Sequence, residues 1–141
     1  MKSLGAAGKL TEPPPPDGDD CRPTSNALLP VLFADTDYPR THDASEAHDT
    51  QCSVHVQSAT SAALVGYDVR DGLRSFRGPT LIVVGESDPF GDGPTRAVAA
   101  ALAGARPEVV RVPACGHFPW IEGKSRFDAA VVPFLRSHAG G

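Results

Sequence analysis

The sequence predicts an α/β fold, with parallel strands and flanking helices, preceded by an irregular N-terminal segment. The prediction depends on two β-rich apolar runs in the second half of the chain, each followed by a segment with helical spacing. The first run, residues 80–85 (TLIVVG), is continuously apolar and closed by glycine, which is typical of a strand buried on both faces of a parallel sheet. The second run covers residues 108–112 (EVVRV). The order strand, helix, strand, helix indicates that the two strands are parallel.

Each predicted helix follows one of these strands. The first covers residues 95–105 and is alanine-rich, with Gly104 and Pro107 marking its end. The second covers residues 125–138, and Pro133 inside it predicts a kink or a split, because a proline in a straight helix costs about 3 kcal/mol. The apolar positions of the first helix are Ala97, Val98, Ala101, Leu102 and Ala105. The stripe of the second helix consists of Phe127, Ala130, Val131, Phe134, Leu135 and His138.

The first half of the chain has no comparable pattern. Residues 1–25 contain four consecutive prolines and a stretch rich in Gly and Asp, so we expect a disordered or irregular segment there. The apolar stretch at 28–33 is too short to assign, residues 35–60 are polar and loop-like, and residues 58–65 suit one or two helical turns. Residues 26–69 are therefore expected to form a small irregular or helical layer without a core of its own.

Composition and charge exclude several classes of function. The 141 residues carry a formal net charge of −4, so we expect neither nucleic acid nor a membrane surface as a partner. No apolar run approaches the roughly 20 residues of a membrane span, and residues 1–10 lack the apolar core of a signal peptide. The three cysteines, Cys21, Cys52 and Cys115, are odd in number and irregularly spaced. We therefore expect no disulfide framework and a cytoplasmic location.

Two polar side chains follow the predicted strands, at the edge where open α/β sheets carry their reactive groups. Asp88 lies in the loop after the first strand, and His117 lies in the loop after the second. A carboxylate that holds the proton of one imidazole nitrogen fixes the tautomer, and it stabilises the imidazolium that forms when the other nitrogen takes a proton. The placement of the two residues therefore favours an acid–histidine pair.

The segments around these two residues resemble the α/β-hydrolase superfamily. Residues 78–89 (GPTLIVVGESDP) are similar to its strand-and-acid segment. Residues 115–122 (CGHFPWIE), followed by the phenylalanines of the last helix, are similar to its histidine loop and most like the proline iminopeptidase branch. The resemblance covers roughly residues 70–138, and it implies that residues 70–141 are the C-terminal part of an α/β-hydrolase fold.

The same resemblance implies roles for the site residues and for the preceding segment. Asp88 takes the place of the triad acid and His117 that of the general base, in enzymes that hydrolyse small esters, amides or peptides without a cofactor. The stretch 29–37 is faintly similar to a cap domain, so residues 26–69 are a candidate cap-domain remnant.

Both site residues also have simpler interpretations. Asp88 precedes a proline, and Asp-Pro begins turns without any catalytic role. His117 is followed by Phe118 and Trp120, which can pack a loop histidine in place. We favour the triad positions for Asp88 and His117 and treat the two aromatic residues as packing residues. Glu122 is expected to favour the start of the last helix and is assigned no catalytic role.

The chain departs from the family at the nucleophile. The family order is serine, acid, histidine, and the serine lies in a Gly-x-Ser-x-Gly elbow whose next residue supplies an oxyanion donor. No such elbow precedes Asp88. Ser87 adjoins the acid and Cys115 lies two residues before His117, so neither is expected to be the nucleophile. The sequence therefore lacks a recognisable nucleophile and oxyanion hole.

One further group of residues has spacings that occur in zinc sites. It consists of His42, His48, Cys52 and His55. Neither a second Cys-x-x-Cys pair nor a His-Glu-x-x-His helix accompanies it. Solvated loop histidines are therefore the favoured interpretation, and no metal is expected.

Three functions remain open on the sequence alone. In the first, the chain is a hydrolase fragment that is inactive alone, with its N-terminal sheet and serine elsewhere. In the second, it is a non-enzymatic interaction module, and in the third it is one half of a split hydrolase. A few parallel strands that are normally covered on both faces would leave apolar surface and unpaired edges exposed. We therefore expect a partner, either the missing N-terminal half or a second copy in a homo-oligomer, or a chain that tolerates marginal stability.

Overall fold

The computed structural model describes residues 18–47 and 52–139 of the chain. The chain divides into two compact units, Met1–Tyr67 and Asp68–Gly141. Helices occur in both units, and the second contains a two-stranded parallel sheet. The predicted α/β class with parallel strands is therefore confirmed. No helix among the described residues is long and apolar enough to cross a membrane.

The first unit consists of short helices. Along the described part of the chain they are α1 (Arg22–Leu28), a 3₁₀ turn (Leu29–Leu32), α2 (Tyr38–Thr41), a second 3₁₀ turn (Ser45–Ala47) and α3 (Val54–Ala63). Two expectations from the sequence are wrong here. Helix α1 begins inside the segment 1–25 that the sequence predicts to be irregular, although residues 1–17 lie outside the described residues. Helix α2 and much of α3 replace the loop predicted at 35–60.

Helix α3 starts earlier than the helical turns predicted at 58–65 because its first turn is capped. The Ser53 hydroxyl accepts a hydrogen bond from the Val56 N–H at 3.2 Å. One oxygen of the Asp19 carboxylate accepts the His55 N–H at 2.8 Å, and the other accepts the Ser53 hydroxyl at 2.7 Å. The His55 N–H, and after it the Ser53 hydroxyl, lower the pKa of Asp19. A cap from a residue 36 positions away is a tertiary contact that local spacing does not reveal.

A disulfide bond joins Cys21 to Cys52 in this unit. The expectation of no disulfide is wrong, because the fold brings these residues, 31 positions apart, to a Cα–Cα distance of 5.2 Å. Cys52 is consequently not available as a thiolate ligand for the zinc group considered above. His48 of that group lies outside the described residues, and His55 lies on α3 rather than in a loop. Among the residues of this unit that the structure describes, the buried apolar ones are Cys21, Leu29, Phe33 and Ala44.

The second unit contains the sheet and its flanking helices. In chain order its elements are α4 (Arg70–Leu73), β1 (Leu81–Gly85), α5 (Asp92–Ala101), β2 (Glu108–Val112), α6 (Pro119–Glu122) and α7 (Lys124–His138). The strands are parallel, in register from Leu81 opposite Glu108 to Gly85 opposite Val112. Both predicted strands and both predicted helices are confirmed, with different bounds for α5.

Helix α5 lies nearer the N-terminus than the predicted range 95–105. Gly91, with a φ of 70°, turns the chain into a helix that begins at the next residue. The helix ends at Ala101, and Arg106, with a φ of 51°, leads into β2. Helix α7 continues through Pro133 as one element, so the predicted split does not occur.

The sheet is less buried than its sequence predicts. The side chains of β1 at 81–84 are all of intermediate exposure rather than buried on both faces. Val98 on α5 is exposed, as are Val132 and Leu135 on α7. The buried apolar residues of this unit include Ala101, Leu102, Val112, Cys115 and Pro119. Within the described part of the chain, apolar surface on the sheet and its helices is therefore left uncovered.

Candidate active site

The loops that follow β1 and β2 are joined by backbone hydrogen bonds. The Glu86 N–H donates to the Val112 carbonyl at 3.0 Å, directly after the last paired residue of β1. The Ser87 N–H donates to the Cys115 carbonyl at 2.9 Å. The edge of the sheet at which the strands end therefore brings the two loops together, as open α/β sheets do.

Gly85, the last residue of β1, permits this close approach. A Cβ built at this position would be 2.7 Å from the carbonyl carbon of Cys115, and closer still to the carbonyl oxygens of Cys115 and Gly116. All of these atoms belong to the backbone, so no side-chain rotation relieves the contact. Position 85 therefore requires glycine because another strand's loop lies against its Cα.

Asp88 uses its two carboxylate oxygens for two contacts. Oδ1 accepts the Phe90 N–H at 2.9 Å, in the kind of turn that Asp-Pro begins. Oδ2 lies 2.9 Å from Nδ1 of His117. The Asp88 side chain is 13% exposed and the His117 side chain is 42% exposed. The turn and the acid–histidine contact therefore occur together, and the turn orients the carboxylate that meets the ring.

The contact determines which imidazole nitrogen carries the proton. An ionised carboxylate is only an acceptor, so Nδ1 donates to Asp88, and the neutral ring has its lone pair on Nε2. No described residue makes a hydrogen bond to Nε2 of His117. The partly exposed ring therefore has a base available to remove a proton from a nucleophile.

Two aromatic rings flank the imidazole. Phe90 contacts it edge-on with ring centroids 4.9 Å apart, and Phe118 does so at 5.4 Å. Trp120 contacts Phe118 at 5.5 Å and Phe127 at 6.4 Å. Phe118 thus packs the ring as the sequence suggests, whereas Phe90 is a neighbour that sequence reasoning missed. The sequence feature that could have predicted Phe90 as a neighbour is the turn at Asp88, because that turn folds the next residues back toward the carboxylate.

A second contact missed from the sequence fixes the backbone just before the histidine. The Gly116 N–H donates to Oε2 of Glu122 at 2.6 Å. Glu122 is the last residue of α6, and Gly116 immediately precedes His117. Glu122 thus ends α6 and binds the histidine loop, whereas the sequence placed it at the start of the last helix, which begins at Lys124.

Of the nucleophile candidates in the sequence, neither Cys115 nor Ser87 forms a hydrogen bond with the His117 ring. Cys115 is buried, and its pKa is raised first by burial and then by the charge of Glu122. A buried thiol that stays protonated is a poor nucleophile. The Ser87 side chain is exposed, and its hydroxyl makes no hydrogen bond to a described residue. The structure thus brings Asp88 and His117 together without a described nucleophile beside them.

A cleft of about 360 Å³ opens beside the acid. Its lining consists of Val84, Gly85, Glu86, Asp88, Gly91, Asp92 and Arg111. The Arg111 guanidinium donates to Asp92 at 2.6 Å and lowers the pKa of that carboxyl. Arg111 therefore balances the Asp92 charge here. In residues 18–47 and 52–139, no group of three or more His, Cys, Asp or Glu side chains is arranged to hold a metal ion.

Comparison with known proteins gives a partial likeness to a much longer protein. No protein-family model matches the chain. Over 73 residues, 52% of the chain, the sequence is 36% identical to the polyketide synthase ThaQ of Burkholderia thailandensis. The match spans 4% of the length of that protein. A match of this extent assigns no family to the chain.

Proposed function

We propose that this chain is the acid-and-histidine end of an α/β-hydrolase of the serine-hydrolase type. The observation that carries the proposal is the 2.9 Å contact between Asp88 Oδ2 and His117 Nδ1, in loops that follow two parallel strands. The order of acid and histidine along the chain supports it, as does the resemblance of residues 78–89 and 115–122 to that superfamily.

The chemistry follows from the geometry of the pair. A serine hydroxyl presented to Nε2 of His117 would lose its proton to the ring as the serine oxygen attacks an ester, amide or peptide carbonyl. Asp88 would hold the Nδ1 proton and stabilise the imidazolium, which then donates its Nε2 proton to the leaving group. This acyl transfer needs no cofactor. The branch that the sequence resembles suggests aminopeptidase-like substrates.

The proposed centre is incomplete among the residues that the structure describes. The described residues place no hydroxyl or thiol at Nε2 of His117, and the serine elbow of the family would also supply an oxyanion donor. We therefore propose that the chain alone is not a competent hydrolase. The nucleophile would come from a missing N-terminal half or from the other polypeptide of a split enzyme.

A non-enzymatic interaction module is the second candidate. The observation that favours it is the uncovered apolar surface of the second unit, from the half-buried β1 to Val98, Val132 and Leu135. Surface of this kind is typical of a binding face. Size-exclusion chromatography and hydrogen exchange separate the candidates. A cooperative, protected monomer favours the module, and aggregation or a loosely packed state favours the hydrolase fragment.

Ester turnover tests the proposal that the chain is inactive alone. We expect the purified chain to hydrolyse p-nitrophenyl acetate no faster than its exposed imidazoles do by themselves. His117→Ala should then lower the rate no more than His138→Ala, a control that removes an exposed histidine from α7. Turnover well above that background, abolished by His117→Ala and retained by His138→Ala, would show that a nucleophile lies within the chain.

The expected cytoplasmic location stays a prediction. Disulfides such as Cys21–Cys52 persist in oxidising compartments and are rare in the cytoplasm. The redox state of this cysteine pair in cells therefore tests the location.

A further inference from the structure

The backbone immediately before His117 is held from two directions. The Cys115 carbonyl accepts the Ser87 N–H at 2.9 Å, from the loop that follows β1. The Gly116 N–H donates to Oε2 of Glu122 at 2.6 Å, at the end of α6. The first contact joins the histidine loop to the loop of the acid, and the second anchors it to a helix.

The contact with Glu122 has the features of a strong hydrogen bond. A charged carboxylate that accepts a backbone N–H makes a shorter and stronger bond than a neutral acceptor does. Gly116 is buried and Glu122 is half-buried, so water competes poorly for this amide. Ala114, two residues before Gly116, has a φ of 56°, which a residue other than glycine keeps only where its surroundings hold it.

The junction between α6 and α7 limits how far Glu122 can move. A Cβ built at Gly123 would lie 2.5 Å from Sγ of Cys115 and 2.8 Å from Cγ1 of Val112. The end of α6 therefore packs directly on the histidine loop and on β2. The length of the Glu122 side chain is matched to a fixed distance between α6 and the Gly116 amide.

We propose that Glu122 is a positioning residue for the acid–histidine pair. By holding the Gly116 N–H, it fixes the backbone next to His117 so that Nδ1 reaches Asp88. The inference rests on the proposed function and adds to it a residue that does not touch the reacting atoms. The competing role is electrostatic, because a negative charge just before α7 favours the positive end of that helix whatever it binds.

Two substitutions separate the reach of the side chain from its charge. Glu122→Gln keeps the length and an acceptor oxygen but removes the charge. Glu122→Asp keeps the charge but is one methylene too short to meet the Gly116 amide. Asp128→Asn is the control for loss of a nearby charge. Asp128 forms an exposed ion pair with Lys124 on α7, at 2.9 Å.

Two readouts in the full chain follow the proposed role. The first is the hydrogen-exchange rate of the Gly116 amide divided by the rate of the Glu86 amide. This ratio cancels any general loss of stability in the second unit. The second is the Nδ1–H resonance of His117 in heteronuclear NMR. In Glu122→Asp we expect Gly116 protection to fall about tenfold or more relative to Glu86, and the ring resonance to broaden. In Glu122→Gln, whose neutral amide oxygen still reaches Gly116 but makes a weaker bond, Gly116 protection should fall less than in Glu122→Asp, and in Asp128→Asn both readouts should stay near wild type.

Each outcome decides the question. Protection retained in Glu122→Asp overturns the positioning role, because reach is then not needed. A loss of protection in Glu122→Gln as large as that in Glu122→Asp, or a Glu122→Gln protein that does not fold, overturns it as well, because charge is then what matters. A Glu122→Asp protein that does not fold, beside a folded Glu122→Gln, again supports reach. A wild-type ring that carries its proton on Nε2 shows instead that the proposed acid–histidine pair fails, whereas a wild-type ring protonated on Nδ1 together with unchanged variants overturns only the role of Glu122.

Discussion

Replacing Gly85 with alanine is expected to unfold the second unit. The added Cβ would meet the carbonyl groups of Cys115 and Gly116 at distances that real Cβ atoms essentially never show. Relief requires β1 or the histidine loop to move, which separates the two loops of the site. Overpacking in a protein core usually costs about 1–3 kcal/mol, and a clash with backbone alone should cost about 3 kcal/mol or more. That loss is a large fraction of the stability of a small unit.

Gly93→Ala is the matched control for this prediction. Gly93 lies in the first turn of α5, and a Cβ built there meets nothing within 4 Å. The same change of residue should therefore stabilise the second unit, by about 0.5–1 kcal/mol. Urea unfolding followed by the fluorescence of Trp120, the one tryptophan of the chain, measures both variants. A Gly85→Ala midpoint equal to that of the wild type would contradict the packing described here.

Reduction of the Cys21–Cys52 disulfide is expected to remove most of the structure of the first unit. The bond spans 31 positions, and the loop-closure entropy for a span of that length corresponds to about 3–4 kcal/mol. The described buried apolar residues of this unit are few, and Cys21 is itself among them. Few other buried apolar side chains are therefore present to keep the unit folded once the disulfide is lost.

Thiol titration and circular dichroism test this expectation together. In urea without reductant, one thiol of the three cysteines should react, that of Cys115, and treatment with a dithiol should raise the number to three. Reduction should also lower the helical signal contributed by α1 to α3. The double variant Cys21→Ser, Cys52→Ser should show the same loss without reductant. Three reactive thiols before reduction, or an unchanged spectrum after it, would count against the pairing.

The second unit could be predicted largely from the sequence because its signals are local. A continuous apolar run such as residues 81–84 identifies a strand wherever it occurs. Parallel strands place the loops that follow them at one edge, so the meeting of Asp88 and His117 follows from the order of the elements. The bounds of α5 were less predictable, since they depend on the positive φ of Gly91.

The first unit could not be predicted in the same way, because tertiary contacts determine it. Helix α3 has no clear apolar face and no buried residue, and its start depends on Ser53 together with the distant Asp19. The pairing of Cys21 with Cys52 has no signature in their spacing. The same reason applies to the contact of Glu122 with the histidine loop in the second unit, since an acceptor of a backbone N–H is recognisable only when the backbone is in place.

The tautomer of the His117 ring, observed by heteronuclear NMR in the full chain, tests whether Asp88 and His117 form an acid–histidine pair. We predict that the neutral ring carries its proton on Nδ1, donated to Asp88 Oδ2. In Asp88→Asn the carbonyl oxygen should keep the Phe90 N–H, which places the amide nitrogen at the ring, so the proton should move to Nε2. A wild-type ring protonated mainly on Nε2, or a tautomer that Asp88→Asn leaves unchanged, would instead mean that His117 is only a loop histidine packed by Phe90 and Phe118.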